Sequence, residues 1–524
     1  MKEDENKKDI SATLRRAERF RVILIGEGII VGGLAGMVVL LYRLLLENAG
    51  RWMRWILDFI DGRPLWVFLW FAALAVLAFV VAGLVTIEPL ISGSGIPQLE
   101  GEMVGKIDQV WWKVLPAKFV GGFLCILGGL ALGREGPSIQ LGAMVGKGAS
   151  RYLDRGKTEE RYLLTCGASA GLAAAFHAPL AGVMFSLEEV HRNFSAAVLL
   201  SVMSASLTAD FLCTAVLGTD SVFQFTLTEA LPPEYYGLLV LLGVVLGFLG
   251  VFYNWFTLWV QSLYNRLTGL PTAGKILIPF LIAGVLGLVA PELLGTGHSL
   301  VDELTAGGMA VGTMAFLLAG RFLFSAVCFG SGAPGGIFFP LLILGAFIGG
   351  IFTCAGHALF GIDMMYLNNF VLLAMAGYFT AIVRAPLTGI ILIFEMTGTV
   401  SQLFSLAVVS ICAYIVATLM RSEPIYESLL AGLLKRRGEI PAEGGEKVLR
   451  EFVVSQGSLA AGKKVRELEW PRESLLVAVK RGDNELIPKG STRLLPGDSL
   501  VVMADEYDSP DIMGQMERIC GEQI

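Results

Sequence analysis

Two stretches of this chain, about 200 residues apart, share one skeleton, and that skeleton limits the fold more than any other feature. Gly133-Arg134-Glu135-Gly136-Pro137 leads into Leu141-Gly142-Ala143 and then Gly146. Gly336-Ile337-Phe338-Phe339-Pro340 leads into Leu344-Gly345-Ala346 and then Gly349, in the same spacing. Each reads as a helix start: glycine opens the backbone, proline falls in the first turn, and apolar residues follow. Each lies in a hydrophobic stretch, so each helix begins inside a bilayer. There its first N–H groups have no water to bind, and an anion is their natural occupant. One such start in each half of a duplicated chain predicts a central anion site where the halves meet.

The duplication extends further. Ala178-Pro179-Leu180-Ala181-Gly182 precedes Glu188 by the same interval that separates Ala385-Pro386-Leu387-Thr388-Gly389 from Glu395, and Gly93-Ser94-Gly95 is echoed by Gly295-Thr296-Gly297. The three pairs are offset by 207, 203 and 202 residues and run in the same order. Two repeats are expected, about 21–220 and 221–427. In a transporter such halves are commonly inverted, with the site at their interface.

Composition agrees with a membrane domain. The chain is 54% hydrophobic and 16% charged, which reads as polytopic. Apolar runs fall at about 22–47, 65–86, 114–132, 196–217, 234–262, 276–294, 311–329, 337–356, 367–382 and 404–420, with shorter, Gly- and Pro-interrupted segments at 139–149 and 163–190. Charge is concentrated at the end: 33 charged residues lie in the last 104, and 53 in the first 420. Residues 428–448 read as a polar linker. Residues 449–515 read as a small α+β domain with β-rich runs at Glu451–Ser455, Leu475–Lys480 and Ser499–Ala504 and turns at 481–484 and 496–498. Residues 1–20 are polar and lack a signal peptide's apolar core. They read as a surface helix, and Lys7, Lys8, Arg15, Arg16, Arg19 and Arg21 favour a cytoplasmic N-terminus.

Several functions are disfavoured. The seven cysteines contain no CxxC pair, and His191, His298 and His357 are not spaced as metal ligands. No basic tract suggests a nucleic-acid polymer. No nucleophile–base pair, metal cluster or phosphate loop suggests an enzyme or a cofactor.

Individual residues narrow the chemistry. Gly93-Ser94-Gly95-Ile96-Pro97 is a third helix start, where Ser94 either caps the helix or offers its hydroxyl to an anion. Glu135 places a carboxylate at a helix start in an anion path. It can fill the site itself and leave on protonation, so it reads as gate and proton carrier together. Arg134 either raises the local potential or forms a structural ion pair. Glu188 and Glu189 close a helical run from Pro179, with Glu188 the more structural of the two; Glu100 is a candidate for the same charge cluster.

Taken together, GSGIP (93–97), GREGP (133–137), GGIFFP (335–340) and Tyr426 after the last membrane helix resemble the defining motifs of the CLC chloride channel and transporter family, over about residues 20–430. The resemblance implies an all-α polytopic membrane protein with two inverted repeats and broken helices meeting at a central anion site. It implies a homodimer in the plasma (inner) membrane, with both termini cytoplasmic and one anion pathway per subunit. Ser94 and Tyr426 would give hydroxyls to chloride, and Gly136, Ile337 and Phe338 backbone N–H groups. Neutral donors of this kind hold an anion without trapping it. In the family, Glu at the position of Glu189 accompanies proton-coupled exchange and an apolar residue accompanies channels. The expected function is therefore Cl−/H+ antiport, with a passive gated chloride channel as the alternative and a membrane-embedded ligand sensor as a third reading. Retention of Ser94 and Tyr426 favours chloride over nitrate or fluoride. His177 stands where bacterial relatives often have Asn; a hydrogen-bonding structural role is favoured over titration.

The tail, about 449–505, resembles the TrkA-C (RCK-C) module through Leu459-x-x-Gly462-Lys463-Lys464-Val465, Val479-Lys480-Arg481-Gly482, Ile487-Pro488-Lys489-Gly490 and Leu495-Pro496-Gly497-Asp498. That resemblance implies a domain that pairs with its copy and binds a small ligand, in some proteins a cyclic dinucleotide; a passive dimerisation unit is the alternative.

Overall fold

The computed structural model of the chain describes residues 2–192, 195–218, 223, 231–398, 400–437, 447–471, 474–481, 484–505 and 509–521. The chain forms two compact units, Met1–Leu430 and Ala431–Ile524.

The first unit is helical throughout. Its first half contains α1 (Lys2–Ile60), α2 (Pro64–Ile87), α3 (Ile96–Met103), α4 (Trp111–Leu127), α5 (Glu135–Tyr152), α6 (Lys157–Phe176), α7 (Pro179–Phe185) and α8 (Ala196–Leu217). Its second half contains α9 (Tyr236–Arg266), α10 (Thr272–Val289), α11 (His298–Thr305), α12 (Val311–Gly330), α13 (Phe338–Phe360), α14 (Leu367–Val383), α15 (Pro386–Thr397) and α16 (Leu403–Leu419); α17 (Ile425–Arg436) follows. Broken short helices recur at matching places: α3 with α11, and α7 with α15. The run expected at 163–190 breaks at His177, where α6 ends and Pro179 starts α7. The segment expected at 139–149 is longer than its apolar core, because α5 continues as a polar helix to Tyr152.

Eight helices among the described residues are long and apolar enough to cross a membrane. Their exposed faces are apolar, as lipid requires. The centre is built from α14, whose side chains are all covered by protein, from the first half of α13, which is equally covered, and from α5 against α6. That last pair approaches at backbone contact: a Cβ on Gly142 would lie 2.1 Å from the Gly167 oxygen, and one on Gly167 would lie 2.0 Å from the Gly142 oxygen. Only glycine permits this approach.

The second unit has a four-stranded antiparallel sheet, β1 (Lys447–Val453), β2 (Ser474–Arg481), β3 (Asn484–Leu486) and β4 (Ser499–Asp505), in the order β1-β4-β2-β3. Helix α18 (Ser509–Cys520) contributes Ile512, Met516 and Cys520 to a core with Val479, Leu494, Leu500 and Val502. Two sequence expectations are refined. Helix α17 continues to Arg436, so the first part of the expected linker is helical, while 438–446 lies outside the described residues. Strand β3 was not read, because three residues are too few to show alternation; the Gly482-Asp483 part of the expected turn lies outside the described residues.

A candidate anion site between two helix starts

The two helix starts that the sequence pairs touch each other. The Gly133 N–H donates to the Gly336 oxygen at 2.7 Å, and the Gly336 N–H donates to the Gly133 oxygen at 2.8 Å. An antiparallel bridge between repeat-equivalent residues is the contact that a two-fold relation makes. From this bridge α5 and α13 begin. The first N–H groups to close onto their own helices are Ser138 onto Arg134 at 2.9 Å and Leu341 onto Ile337 at 3.0 Å. Helix geometry therefore leaves Glu135 and Gly136 on one side, and Ile337, Phe338 and Phe339 on the other, with N–H groups outside the helical ladders. Pro137 and Pro340 fill the remaining first-turn places at no cost, having no N–H to satisfy.

The third start joins them. Gly95 is the residue before α3, in the left-handed region with φ of 96°, and no side chain caps this helix. Ser94 is therefore not its N-cap. Its hydroxyl is buried and has no hydrogen-bond partner among the described residues. A Cβ on Gly136 would lie 2.3 Å from that oxygen, so glycine is required there for the α5 start to reach Ser94. Tyr426, at the start of α17, is fully buried, and its hydroxyl also lacks a partner among the described residues. Two buried, unpaired hydroxyls beside open helix starts are costly unless a ligand accepts from them. Phe338 closes the surroundings with rings, its centroid 5.3 Å from Phe176 and 4.7 Å from Phe379.

Glu135 is 1% exposed. Its carboxylate faces the backbone N–H groups of Phe339, Arg134 and Glu135 itself, with Arg134 Nε 3.7 Å away. Arg134 also reaches Glu47 at 3.3 Å, so it is both an ion-pair member and a charge beside the site. Beside Glu135 opens a cavity of about 740 Å³ with a mixed lining, Arg43, Arg51, Arg54 and Arg134 alternating with carboxylates such as Glu47 and Asp302.

Glu189 occupies the opposite end. It lies in a single widened turn, Ser186–His191, after α7 and is buried, as is Glu100 on α3. The two carboxyls face each other, with Arg192 and Glu427 nearby; Arg192 bonds Glu427 at 2.7 Å. Tyr426 lies within electrostatic reach of this pair and of Glu135. Glu188, one residue away, turns elsewhere and caps α15. His177 ends α6 with φ of 57° and its ring bonds Asp210 at 2.5 Å and the Gly218 oxygen at 3.1 Å. These contacts tie the end of α6 to α8, and the left-handed backbone is one that Asn and His adopt more readily than most residues.

The structure thus brings Ser94, Glu135, Gly136, Ile337 and Phe338 to the meeting of three helix starts, with Tyr426 buried within electrostatic reach of Glu135. Sequence reasoning missed four contributors: the Phe339 N–H, the cap made by Glu395, and the buried cations Lys118 and Arg321. The last two could have been found by applying the 203-residue offset to charged residues. All seven cysteines are free.

Comparison with known proteins agrees with this geometry. Residues 78–418 match the family profile described as voltage gated chloride channel, and residues 449–510 match the TrkA-C domain. The chain is 37% identical over 420 residues to the H+/Cl− exchange transporter ClcA of Vibrio cholerae, spanning 78% of this chain and 89% of that one. It is 33% identical to the H+/Cl− exchange transporter ClcA of Klebsiella pneumoniae, over 80% and 91% of the two chains. Among solved structures, a slow cyanobacterial Cl−/H+ antiporter superposes with a TM-score of 0.76 at 30% identity, covering 79% of this chain and 99% of that one. With three helix starts converging on unpaired hydroxyls and a family match across most of its length, this chain belongs to the CLC, or voltage gated chloride channel, family and carries a TrkA-C domain at its end.

Proposed function

We propose that this protein exchanges chloride for protons as a homodimer in the plasma (inner) membrane, with both termini cytoplasmic. The observation that carries the reading is the position of the Glu135 carboxylate, buried near helix-start N–H groups at the edge of a charged cavity. While ionised, it competes with chloride for those donors. Once protonated, it accepts N–H groups poorly and yields the place to an anion, carrying a proton as it moves. Ser94 and Tyr426 hydroxyls, with the N–H groups of Gly136, Ile337 and Phe338, bind the central anion through neutral dipoles, so binding stays reversible.

At the other end the Glu100–Glu189 pair holds a proton beside the Arg192–Glu427 ion pair, and Glu189 supplies it toward Glu135 by a route that leaves the anion path. The names of the relatives support exchange over passive conduction. In liposomes, an imposed Cl− gradient drives protons uphill; dissipation of the Cl− gradient with no proton movement contradicts the reading.

The tail is read as a regulatory unit that pairs with its copy and binds a small ligand, a cyclic dinucleotide being the first to try. This rests on its TrkA-C match. A rise in melting temperature of the full chain with cyclic dinucleotide supports it, and no change removes that ligand.

A further inference from the structure

Glu189 is almost closed off from water. It and Glu100 are each 5% exposed. Among the described residues no hydrogen-bond donor reaches either carboxyl oxygen of Glu100 or the Oε1 of Glu189. A proton on its way to or from Glu189 must therefore pass the groups that cover it.

Arg192 follows the widened turn directly and has a left-handed backbone, with φ of 53°. Few residues other than glycine adopt that conformation. Its Nε turns back to donate to the Glu189 carbonyl at 3.2 Å. The far end of the same guanidinium bonds the Glu427 carboxylate on α17 at 2.7 Å. This outer pair is half-exposed, with 50% of the Arg192 side chain and 43% of the Glu427 side chain open to solvent. Glu427 thus has water on one side and, on the other, both Glu100 and Glu189 within electrostatic reach.

The other titratable groups around the turn are engaged elsewhere. Glu188 caps α15. His191 meets the Thr165 hydroxyl on α6 at 3.0 Å. Glu423, just before α17, accepts from the Ser428 hydroxyl at 3.0 Å. Arg192 itself cannot relay a proton, because a guanidinium does not release one at working pH. A carboxylate can.

We propose that Glu427 is the water-side carboxyl of the proton route. It takes a proton from water and passes it to the Glu189 carboxylate, and does the reverse when protons leave; no other bond forms or breaks. Arg192 stabilises the charge that Glu427 bears between transfers. The inference rests on the reading of Glu189 as the internal proton group. Glu427 follows Tyr426 directly on α17, so the water-side carboxyl and a chloride ligand of the proposed site share one helix start.

The test is proton flux through purified full-length protein in liposomes, driven by a Cl− gradient. It is measured at low buffer and again with an impermeant buffer such as MES raised on both faces, each calibrated for buffer capacity. A mobile buffer acid can load Glu189 when the built-in carrier is missing. Glu427→Gln keeps the size and a hydrogen-bond acceptor for Arg192, and is expected to slow proton flux by about tenfold at low buffer. Raised buffer is expected to restore it to within about twofold of the parent. Glu427→Asp keeps the acid and stays within about threefold of the parent at low buffer. Arg192→Gln breaks the same ion pair but leaves the carboxyl, so raised buffer changes its proton flux no more than it changes the parent's. Glu423→Gln removes an exposed carboxylate at the same helix start and behaves as the parent.

A Glu427→Gln protein whose proton flux at low buffer stays within about threefold of the parent overturns the inference and leaves Glu189 in place. A slow Glu427→Gln that raised buffer does not relieve marks a structural ion pair and overturns it too. A parent that moves no protons overturns this inference and the reading of Glu189 together. Should Glu427→Gln not fold, as judged by size-exclusion chromatography, Glu427→Ser takes its place with the same expected slowing and recovery. Should neither fold, a folded Glu427→Asp that is slower than the parent by more than about threefold overturns the inference.

Discussion

Glu188 and Glu395 cap each other's helices. Glu188, just after α7, accepts the N–H of Leu387 at 3.3 Å and both the N–H and hydroxyl of Thr388 at 2.8 Å, at the start of α15. Glu395, near the end of α15, accepts the N–H of Leu180 at 2.9 Å and of Ala181 at 2.7 Å, at the start of α7. The equal Ala-Pro-Leu-to-Glu spacing in the two repeats has this physical meaning: two antiparallel short helices each end on a carboxylate that satisfies the open N–H groups of the other. In a membrane interior those groups have no other partner.

Removing either cap should therefore destabilise the fold. Glu395→Ala and Glu188→Ala are each expected to cost about 1–2 kcal/mol, with Glu188→Ala the larger because the Thr388 hydroxyl loses its acceptor too. Thermal melting in detergent checks this. Unchanged melting temperatures in both would mean that water serves these helix starts equally well.

The same carboxyl chemistry at two other positions should affect transport instead. Glu135→Gln keeps the helix start and removes the titratable group, so chloride flux continues and proton coupling disappears. Glu189→Val stops proton transport and spares chloride movement. Parallel recordings of Cl− and H+ efflux from liposomes decide. Uphill proton pumping by Glu135→Gln would end its assignment as gate, and loss of both fluxes in folded Glu189→Val would mark a structural carboxylate.

Much of this was legible in the sequence, for a physical reason. Gly133, Gly336, Gly95 and Gly136 are each demanded by a close approach or a left-handed backbone, and such demands leave a spaced pattern of glycine and proline. Ser94 and Glu135 followed because they adjoin those patterns, whereas Tyr426 came only from the resemblance to the family. Lys118 and Arg321 did not, since a lone cation inside an apolar run carries no local signature; only its contacts with loop carbonyls 27 residues away reveal its role. The Glu100–Glu189 contact was only weakly indicated, because it joins α3 to a turn almost 90 residues later in the chain. In the tail, β3 was too short to alternate.

Selectivity should follow the unpaired hydroxyls. Ser94→Pro removes a hydroxyl and a backbone donor and is expected to raise the preference for nitrate over chloride. Tyr426→Ala is expected to weaken chloride binding by about tenfold, the worth of one hydrogen bond to a charged partner. Calorimetry with both anions measures this, and unchanged binding in both variants would remove the two residues from the site.

The tail offers a pH prediction. Asp498 is buried and accepts from Arg481 through both oxygens at 2.7 Å and from the Leu495 N–H at 2.7 Å. Burial works to raise its carboxyl, yet the bonds to Arg481 and Leu495 win and hold it below the ordinary value. A carboxyl depressed in the folded state contributes stability above its unfolded pKa and loses it as pH falls through the folded one. Asp498→Asn should therefore lower the tail's unfolding temperature at neutral pH, by the equivalent of about 1–3 kcal/mol. The gap to the parent should persist down to about pH 4 and close below it. Scanning calorimetry of the full chain at several pH values checks this; a gap that persists unchanged far below pH 4 would show that ionisation plays no part.

Coupled exchange is tested most directly by the reversal potential of purified protein in liposomes under combined Cl− and pH gradients. With Cl− held fixed, a change in the pH gradient is expected to move the reversal potential away from the chloride Nernst value, and Glu135→Gln is expected to return it there. A parent protein whose reversal potential follows chloride alone, at every pH gradient, would contradict antiport and identify a passive chloride pathway.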